Sequence, residues 1–305
     1  MAVTEAGEHD QHDIEADVAR RLRAAGSVFA AEEAALLVGE ALLAGESVAE
    51  RDAMRAADAV LVGEAALTGE ALLVARGGAL DRVDLERMVA QRVSGVPLEY
   101  VVGWALFDGI RVRVGDGVFV PRHRTELLVD AAASVTRPGD VAVDLCCGSG
   151  AIGLALARRV PGIALSAADI DPRAVTWARV NLEPVGGRVF EGDLYAALPA
   201  SLRGRIRTLV CNTPYVPTAD IALLPPEARL YEPHGTLDGG DDGLDIQRRV
   251  AVDARAWLAP GGTLFVETSD AQAHESAEIM QAAGLAAQII RSPDGDATVV
   301  SARRP

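Results

Sequence analysis

From Glu126 to its C-terminus the chain alternates short apolar runs with stretches of helical periodicity, which points to an α/β architecture with a largely parallel sheet. The runs are VAVDLC (141–146), IALSAAD (163–169), RVFEG (188–192), IRTLVCN (206–212), GTLFVE (262–267), AAQII (286–290) and ATVVSA (297–302). Seven strands interleaved with helices predict a doubly wound, Rossmann-like sheet.

The preceding residues have a different texture. Residues 1–13 are polar and charged and are expected to form a disordered leader. Residues 14–93 are rich in Ala, Leu, Glu and Arg, with apolar positions such as Leu36, Leu37, Leu43, Val60, Leu61 and Leu67 at helical spacing. This predicts a bundle of four or five short helices, read as a packing or substrate-docking module. Residues 94–125 turn to alternating Val, Trp, Phe and Ile around an Asp108-Gly109 step, the signature of a β-hairpin, expected to link the bundle to the domain at 126–305.

Composition removes several classes of function. At 305 residues, half of them hydrophobic, the chain is long enough for two cores. No apolar run approaches the ~18 residues of a membrane span, and the acidic N-terminus is unlike a signal peptide, so a cytoplasmic protein is expected. Cys146, Cys147 and Cys211 form neither a paired disulfide framework nor a CxxC, and no metal site is expected. The net charge of -15 repels phosphate, so no stable nucleic-acid binding is expected, whereas a basic protein partner is easily accommodated. All basic charge is arginine, which is taken as a compositional bias. A monomer is expected.

The strongest local signal is VAVDLCCGSGAIGLALA, residues 141–157: a strand carrying Asp144, a turn through Cys146, Cys147, Gly148, Ser149 and Gly150, and a helix beginning at Ala151. Glycines there let the backbone approach a nucleotide-like ligand at the carboxyl ends of the strands. A dinucleotide fingerprint is set aside, on a register that puts Cys146 at the first glycine. Such a turn also serves plain helix packing. The second strand ends at Asp169, whose carboxylate can accept both hydroxyls of a ribose; Asp171, before Pro172, reads instead as a helix cap. Asp193 follows the third strand and could receive an adenine amino group beside Leu194 and Tyr195, although capping explains it equally well.

The fourth strand ends in Asn212-Thr213-Pro214-Tyr215. A planar nitrogen conjugated with a carbonyl or aromatic ring is a poor nucleophile, and two acceptors are needed to polarise it. The Asn212 side-chain carbonyl and the Thr213 main-chain carbonyl can each take one N–H, with Pro214 stiffening the loop and Tyr215 stacking on the planar group. An ordinary strand-to-loop turn would use the same residue types.

Together these residues resemble the protein-(glutamine N5) methyltransferase family of the HemK/PrmC type. The resemblance takes in Pro97-Leu98-Glu99-Tyr100, Gly103, Phe107, Pro121-Arg122, Thr125-Glu126, Glu232-Pro233, Gly239-Gly240, Asp242-Gly243-Leu244 and LAPGG at 258–262. It implies a class I methyltransferase fold, S-adenosylmethionine as cofactor held by residues including Asp144, Cys146 to Gly150, Asp169, Asp193, Leu194 and Asn212, and a protein glutamine as acceptor, typically in a release factor or ribosomal protein. Several positions depart from the family pattern: Thr213 stands where the family has Pro, His123-Arg124 replaces Pro-Glu, the glycine turn carries Cys146 and Cys147 at its start, and Thr268-Ser269 replaces the usual residues after Glu267. Two alternatives remain open. An adenine N6 methyltransferase uses the same Asn-x-Pro-Tyr geometry on a flipped base, against the acidic charge. A non-catalytic S-adenosylmethionine-binding protein is kept open by Thr213.

Overall fold

The computed structural model describes residues 2–44 and 80–305, in two compact units: Met1–Trp104 with Gly109–Arg111, and Ala105–Asp108 with Val112–Pro305. The expected helices over 45–79, with Val60, Leu61 and Leu67, lie outside the described residues.

In the first unit α1 (Ala2–Ala24), α2 (Ala30–Ala44), α3 (Arg82–Val93) and α4 (Leu98–Val102) enclose a core of Val18, Leu22, Leu37, Val38, Leu85, Met88 and Val89. Asp81 caps α3, its Oδ1 accepting from the N–H groups of Val83 and Asp84 at 3.0 Å. The half-exposed Ile14 packs on this core, and Gln11 donates to Glu15 one turn on at 2.9 Å. The expected disordered leader is therefore replaced by helix from Ala2, since its Ala, Glu and Gln are good helix formers and the helix continues into a packed face. The hairpin is shorter than the 94–125 segment expected. Pro97 and Gly103, the latter at φ +81°, bracket the helical turn α4 over residues that read as strand. β1 (Trp104–Phe107) and β2 (Ile110–Arg113) follow, with Asp108 and Gly109 at φ +54° and +69°, the conformation a two-residue hairpin turn requires.

The second unit opens with α5 (Glu126–Val135). It then runs β3 (Val141–Leu145), α6 (Ala151–Arg159), β4 (Ala164–Asp169), α7 (Pro172–Leu182), β5 (Arg188–Glu191) and β6 (Ile206–Cys211). The short α8 (Pro226–Tyr231) is followed by α9 (Asp245–Trp257), β7 (Leu258–Thr268), α10 (Ala273–Ala282), β8 (Ala286–Arg291) and β9 (Thr298–Arg303). The seven apolar runs become one sheet in the order β5-β4-β3-β6-β7-β9-β8, parallel except for β9. The short connection from β8 to β9 is why β9 is antiparallel: six residues cannot return the chain for a parallel pairing. The central strands are covered on both faces. Val143, Leu145, Leu209, Cys211, Leu264 and Val266 on one face and Ala142, Val210 and Phe265 on the other are buried, as parallel strands flanked by helices must be.

Candidate active site

The strand order reverses at β3: β4 and β5 are laid down on one side, β6 and β7 on the other. Crossovers diverge there and leave a crevice beyond the carboxyl ends of the strands. A cavity of about 780 Å³ fills it, walled by the turn after β3, the ends of β4 and β5, the loop after β6, and residues of 119–125 and 224–237.

The turn after β3 is shaped by its backbone. Cys146, Gly148 and Gly150 take φ of +53°, +54° and +79°, Cys147 N–H donates to Ala168 O across to β4, and Gly148 N–H donates to Asp169 Oδ2 at 2.8 Å. A Cβ at Gly148 would meet nothing within 4 Å, so the glycine leaves open space on the cavity wall; at Gly150 it would press on Ala178 and Leu182 of α7. The glycine register needs correcting. Gly148, Gly150 and Gly153 do satisfy G-x-G-x-x-G, and Gly153 packs α6 against β3, where a Cβ would stand 3.1 Å from Asp144 Oδ2. Glycine spacing alone therefore does not exclude a dinucleotide.

Asp144 lies behind this turn and does not line the cavity. It is fully buried, Oδ2 accepts from Gly153 N–H at 2.9 Å, and Oδ1 has no hydrogen-bond partner among the described residues. Burial raises its carboxyl to about 7, the Gly153 N–H opposes the rise, and the Asp169 charge adds to it. Asp144, expected among the cofactor-binding residues, thus sits under the loop and outside the cavity lining.

Cys146, Cys147, Gly148, Ser149, Asp169, Asp193, Leu194 and Asn212, all expected around the cofactor, line the cavity together. Gly150 shapes the turn from behind. Asp169 Oδ1 takes the Asp171 N–H at 2.9 Å, which with the Gly148 bond aims the carboxylate along the wall; burial raises its pKa and the two N–H groups oppose this. Asp171 caps α7 through Arg173 N–H at 2.8 Å, as its position before Pro172 implies. Asp193, expected to receive an amino group, shares its carboxylate with Arg249 Nη2 at 2.6 Å. Three positions escaped the sequence reading. Ile170 lines the cavity with 68% of its surface exposed, an aliphatic face a planar ring would cover, and its only signal was its place directly after Asp169. The others are Glu267 and Gln272, both bonded to Tyr215.

Asn212 to Tyr215 enter the cavity from the end of β6. Asn212 Nδ2 donates to Thr125 Oγ1 at 3.4 Å, which leaves Oδ1 as the side chain's open acceptor. Thr213 is buried, with Oγ1 turned into protein. The Tyr215 hydroxyl donates to Glu267 Oε1 at 2.8 Å and accepts from Arg124 Nε at 3.1 Å; burial, reinforced by the Glu267 charge, holds the phenol well above its usual range. Its carbonyl accepts from Gln272 Nε2 at 3.0 Å, and Gln272 also bonds Asp242 O at 2.7 Å. Of the departures from the family pattern, Arg124 is tied to this tyrosine, while His123 bonds Glu126 at the surface.

The residues present fit an S-adenosyl group. The glycine turn offers backbone room, Asp169 offers paired acceptors for a ribose, and Ile170 and Leu194 offer apolar surface for a purine along one wall. This sheet order with its antiparallel seventh strand, and this cavity, define a class I S-adenosylmethionine-dependent methyltransferase. Comparison with known proteins narrows the class. The Methyltransferase small domain family matches residues 111–223. Release factor glutamine methyltransferases are similar over longer stretches. That of Streptomyces coelicolor is 40% identical over 61% of this chain and 67% of its own length, and that of Mycolicibacterium smegmatis 36% identical over 72% and 74%. For the relatives from Geobacter sulfurreducens and Gloeobacter violaceus, the chain spans 65% and 64% of their lengths. A solved protein-(glutamine-N5) methyltransferase from Alicyclobacillus acidocaldarius aligns with 61% of this chain and 94% of its own at 23% identity and a TM-score of 0.38, too loose a match to bear on function. The chain belongs to the release factor glutamine methyltransferase family, whose cofactor is S-adenosylmethionine.

Proposed function

We propose that this chain transfers the methyl group of S-adenosylmethionine to the side-chain amide nitrogen of a protein glutamine, with a peptide-chain release factor as acceptor. The observation that carries the reading is Asn212, which lines the cavity and whose Nδ2 donates to Thr125, so that Oδ1 is left as its acceptor for an incoming N–H. When bound, the cofactor supplies an electrophilic methyl group on a sulfonium. The chain's own residues deal with the acceptor's weak nucleophilicity. Asn212 Oδ1 and the Thr213 carbonyl each take one N–H of the amide and draw electron density onto nitrogen, and the loop holds that nitrogen in line for attack. The Tyr215 ring supports the flat face of the amide. Because the Thr213 contribution is its carbonyl, the replacement of proline there leaves the chemistry in place.

Asp169 and the Gly148 turn hold the adenosyl portion in this reading, with Leu194 and Ile170 against the adenine. The first unit serves to dock the acceptor protein. The release-factor assignment draws on the named relatives, and the net charge of -15 suits a basic protein surface over nucleic acid. No described helix is long and apolar enough to cross a membrane, consistent with action in the cytoplasm, which we read as that of a monomer.

The test is to incubate the purified protein and methyl-labelled S-adenosylmethionine with lysate of a strain lacking its gene, then locate the label by mass spectrometry. Label on a glutamine side chain is expected. Label confined to nucleic acid would overturn the reading. Asn212→Ala should lower turnover by about 10²-fold with cofactor affinity unchanged, as loss of a group that acts in the transition state does.

A further inference from the structure

A single turn outside the Asn212–Tyr215 loop reaches two of its side chains. The 3₁₀ turn His123–Thr125 precedes α5, and its last two residues point into the cavity wall. Thr125 is buried and its Oγ1 accepts from Asn212 Nδ2. A primary amide has a donor side and an acceptor side, so a partner for Nδ2 decides which way Oδ1 faces. Without that partner, rotation about the last torsion presents Nδ2 to the acceptor amide, a donor facing donors. Arg124 meets the other end of the loop, its Nε within 3.1 Å of the Tyr215 hydroxyl and 3.2 Å of Glu267 Oε1.

Glu267 gives that contact its stiffness. It is 2% exposed at the end of β7, it accepts from the Tyr215 hydroxyl, and its Oε2 has no partner among the described residues. A carboxylate in such a place carries a desolvation cost that a tyrosine alone does not offset, and Arg124 is the cation set against it. With its hydroxyl held by Glu267 and Arg124 and its carbonyl by Gln272, the Tyr215 ring is fixed at both ends.

We propose that Thr125 and Arg124 are positioning residues for methyl transfer: Thr125 sets the amide orientation of Asn212, and Arg124, directly and through Glu267, fixes the plane of Tyr215. The inference rests on the reading of Asn212 as the acceptor of the substrate N–H. Arg124 is the cation that meets both the Tyr215 hydroxyl and the Glu267 carboxylate in this site.

The two roles separate kinetically. Thr125→Val keeps the shape and removes the oxygen; it should lower kcat about tenfold with KM for the acceptor unchanged, because an orientation used in the transition state is lost. Thr125→Ser should restore most of the rate. Arg124→Met should instead raise the acceptor KM about fivefold with a smaller change in kcat, because ring support contributes to binding as well as to the transition state. The assay uses the full chain, tritiated-methyl S-adenosylmethionine and a purified bacterial release factor. A measurement independent of turnover is the ¹⁵N,¹H resonance pair of the Asn212 side-chain amide, expected to shift in Thr125→Val and to return in Thr125→Ser. If Thr125→Val leaves that resonance and kcat at wild-type values, or if Val and Ser are impaired alike with equally lowered Tm, the role given to Thr125 is wrong; wild-type KM in Arg124→Met removes the role of Arg124. Asn212→Ala separates the two levels: an active Asn212→Ala sinks the acceptor reading itself, whereas an inactive Asn212→Ala beside an unaffected Thr125→Val sinks only this inference.

Discussion

Asp144→Asn should make the stability of the second unit less dependent on pH. The wild-type carboxyl is fully buried beneath the glycine turn with one oxygen unpartnered, and burial raises its pKa from an ordinary 3.8 to about 7. The sign follows from which state binds the proton. Between pH 4 and pH 7 the unfolded chain releases this proton and the folded chain keeps it, so stability falls as pH rises through that window and levels off above it. The full difference corresponds to about 4 kcal/mol, of which about 2.5 kcal/mol lies between pH 5 and pH 8. Asparagine still offers a carbonyl to the Gly153 N–H and has no charge to desolvate; its NH₂ in the site of Oδ1 adds a cost of about 1–3 kcal/mol, independent of pH. Urea unfolding of both proteins at pH 5, 6, 7 and 8 isolates the effect, because every other titrating group is common to the pair. The difference in stability should swing in favour of the variant by about 2.5 kcal/mol across the series, a midpoint displacement of about 1 M urea. Parallel curves would refute the assignment of this carboxyl as a buried, largely protonated group. Since Asp144 does not line the cavity, S-adenosylmethionine affinity measured by calorimetry should stay within about twofold in the variant, where loss of a direct hydrogen bond would cost more.

Two further outcomes test the walls of the site. Gly243 sits at φ +80°, and a Cβ there would lie 2.3 Å from Tyr215 O and 2.4 Å from Gln272 Nε2, so Gly243→Ala should displace the Tyr215 loop and destabilise the unit by about 2–4 kcal/mol, read by urea unfolding alongside a raised acceptor KM. The neighbouring acids at the end of β4 should divide cleanly. Asp169→Ala should weaken S-adenosylmethionine binding at least about tenfold, the loss of charge-assisted hydrogen bonds, while Asp171→Ala should cost about 1 kcal/mol of stability as a lost helix cap, with cofactor affinity unchanged.

The legible part of the site was the part built from segments continuous in sequence. The end of β3, its glycine turn and the start of α6 form one stretch, and the spacing of its glycines and Asp171-Pro172 specify local backbone and capping that tertiary packing does not overrule. The roles of Glu267 and Gln272 were not legible: each acts on Tyr215 from more than 50 residues away, and nothing in the local texture of GTLFVE distinguishes a carboxylate that ends a strand from one that anchors a tyrosine. Asp144 shows the converse. Its place in a motif suggested ligand contact, but the side-chain alternation of β3 directs it beneath the turn, where Gly153 meets it.

The sequence by itself determined the alternation of strands and helices, the strand ends that would carry the site, and the residue types able to polarise a planar nitrogen, because periodicity, glycine conformational freedom and proline stiffness act within a few residues. Only the tertiary structure decided that Asp144 supports the turn from behind, and that Arg124, Tyr215 and Glu267 meet. Those outcomes depend on which surfaces are buried together, and burial sets the strength of each charge and the orientation of each amide only after distant strands are side by side.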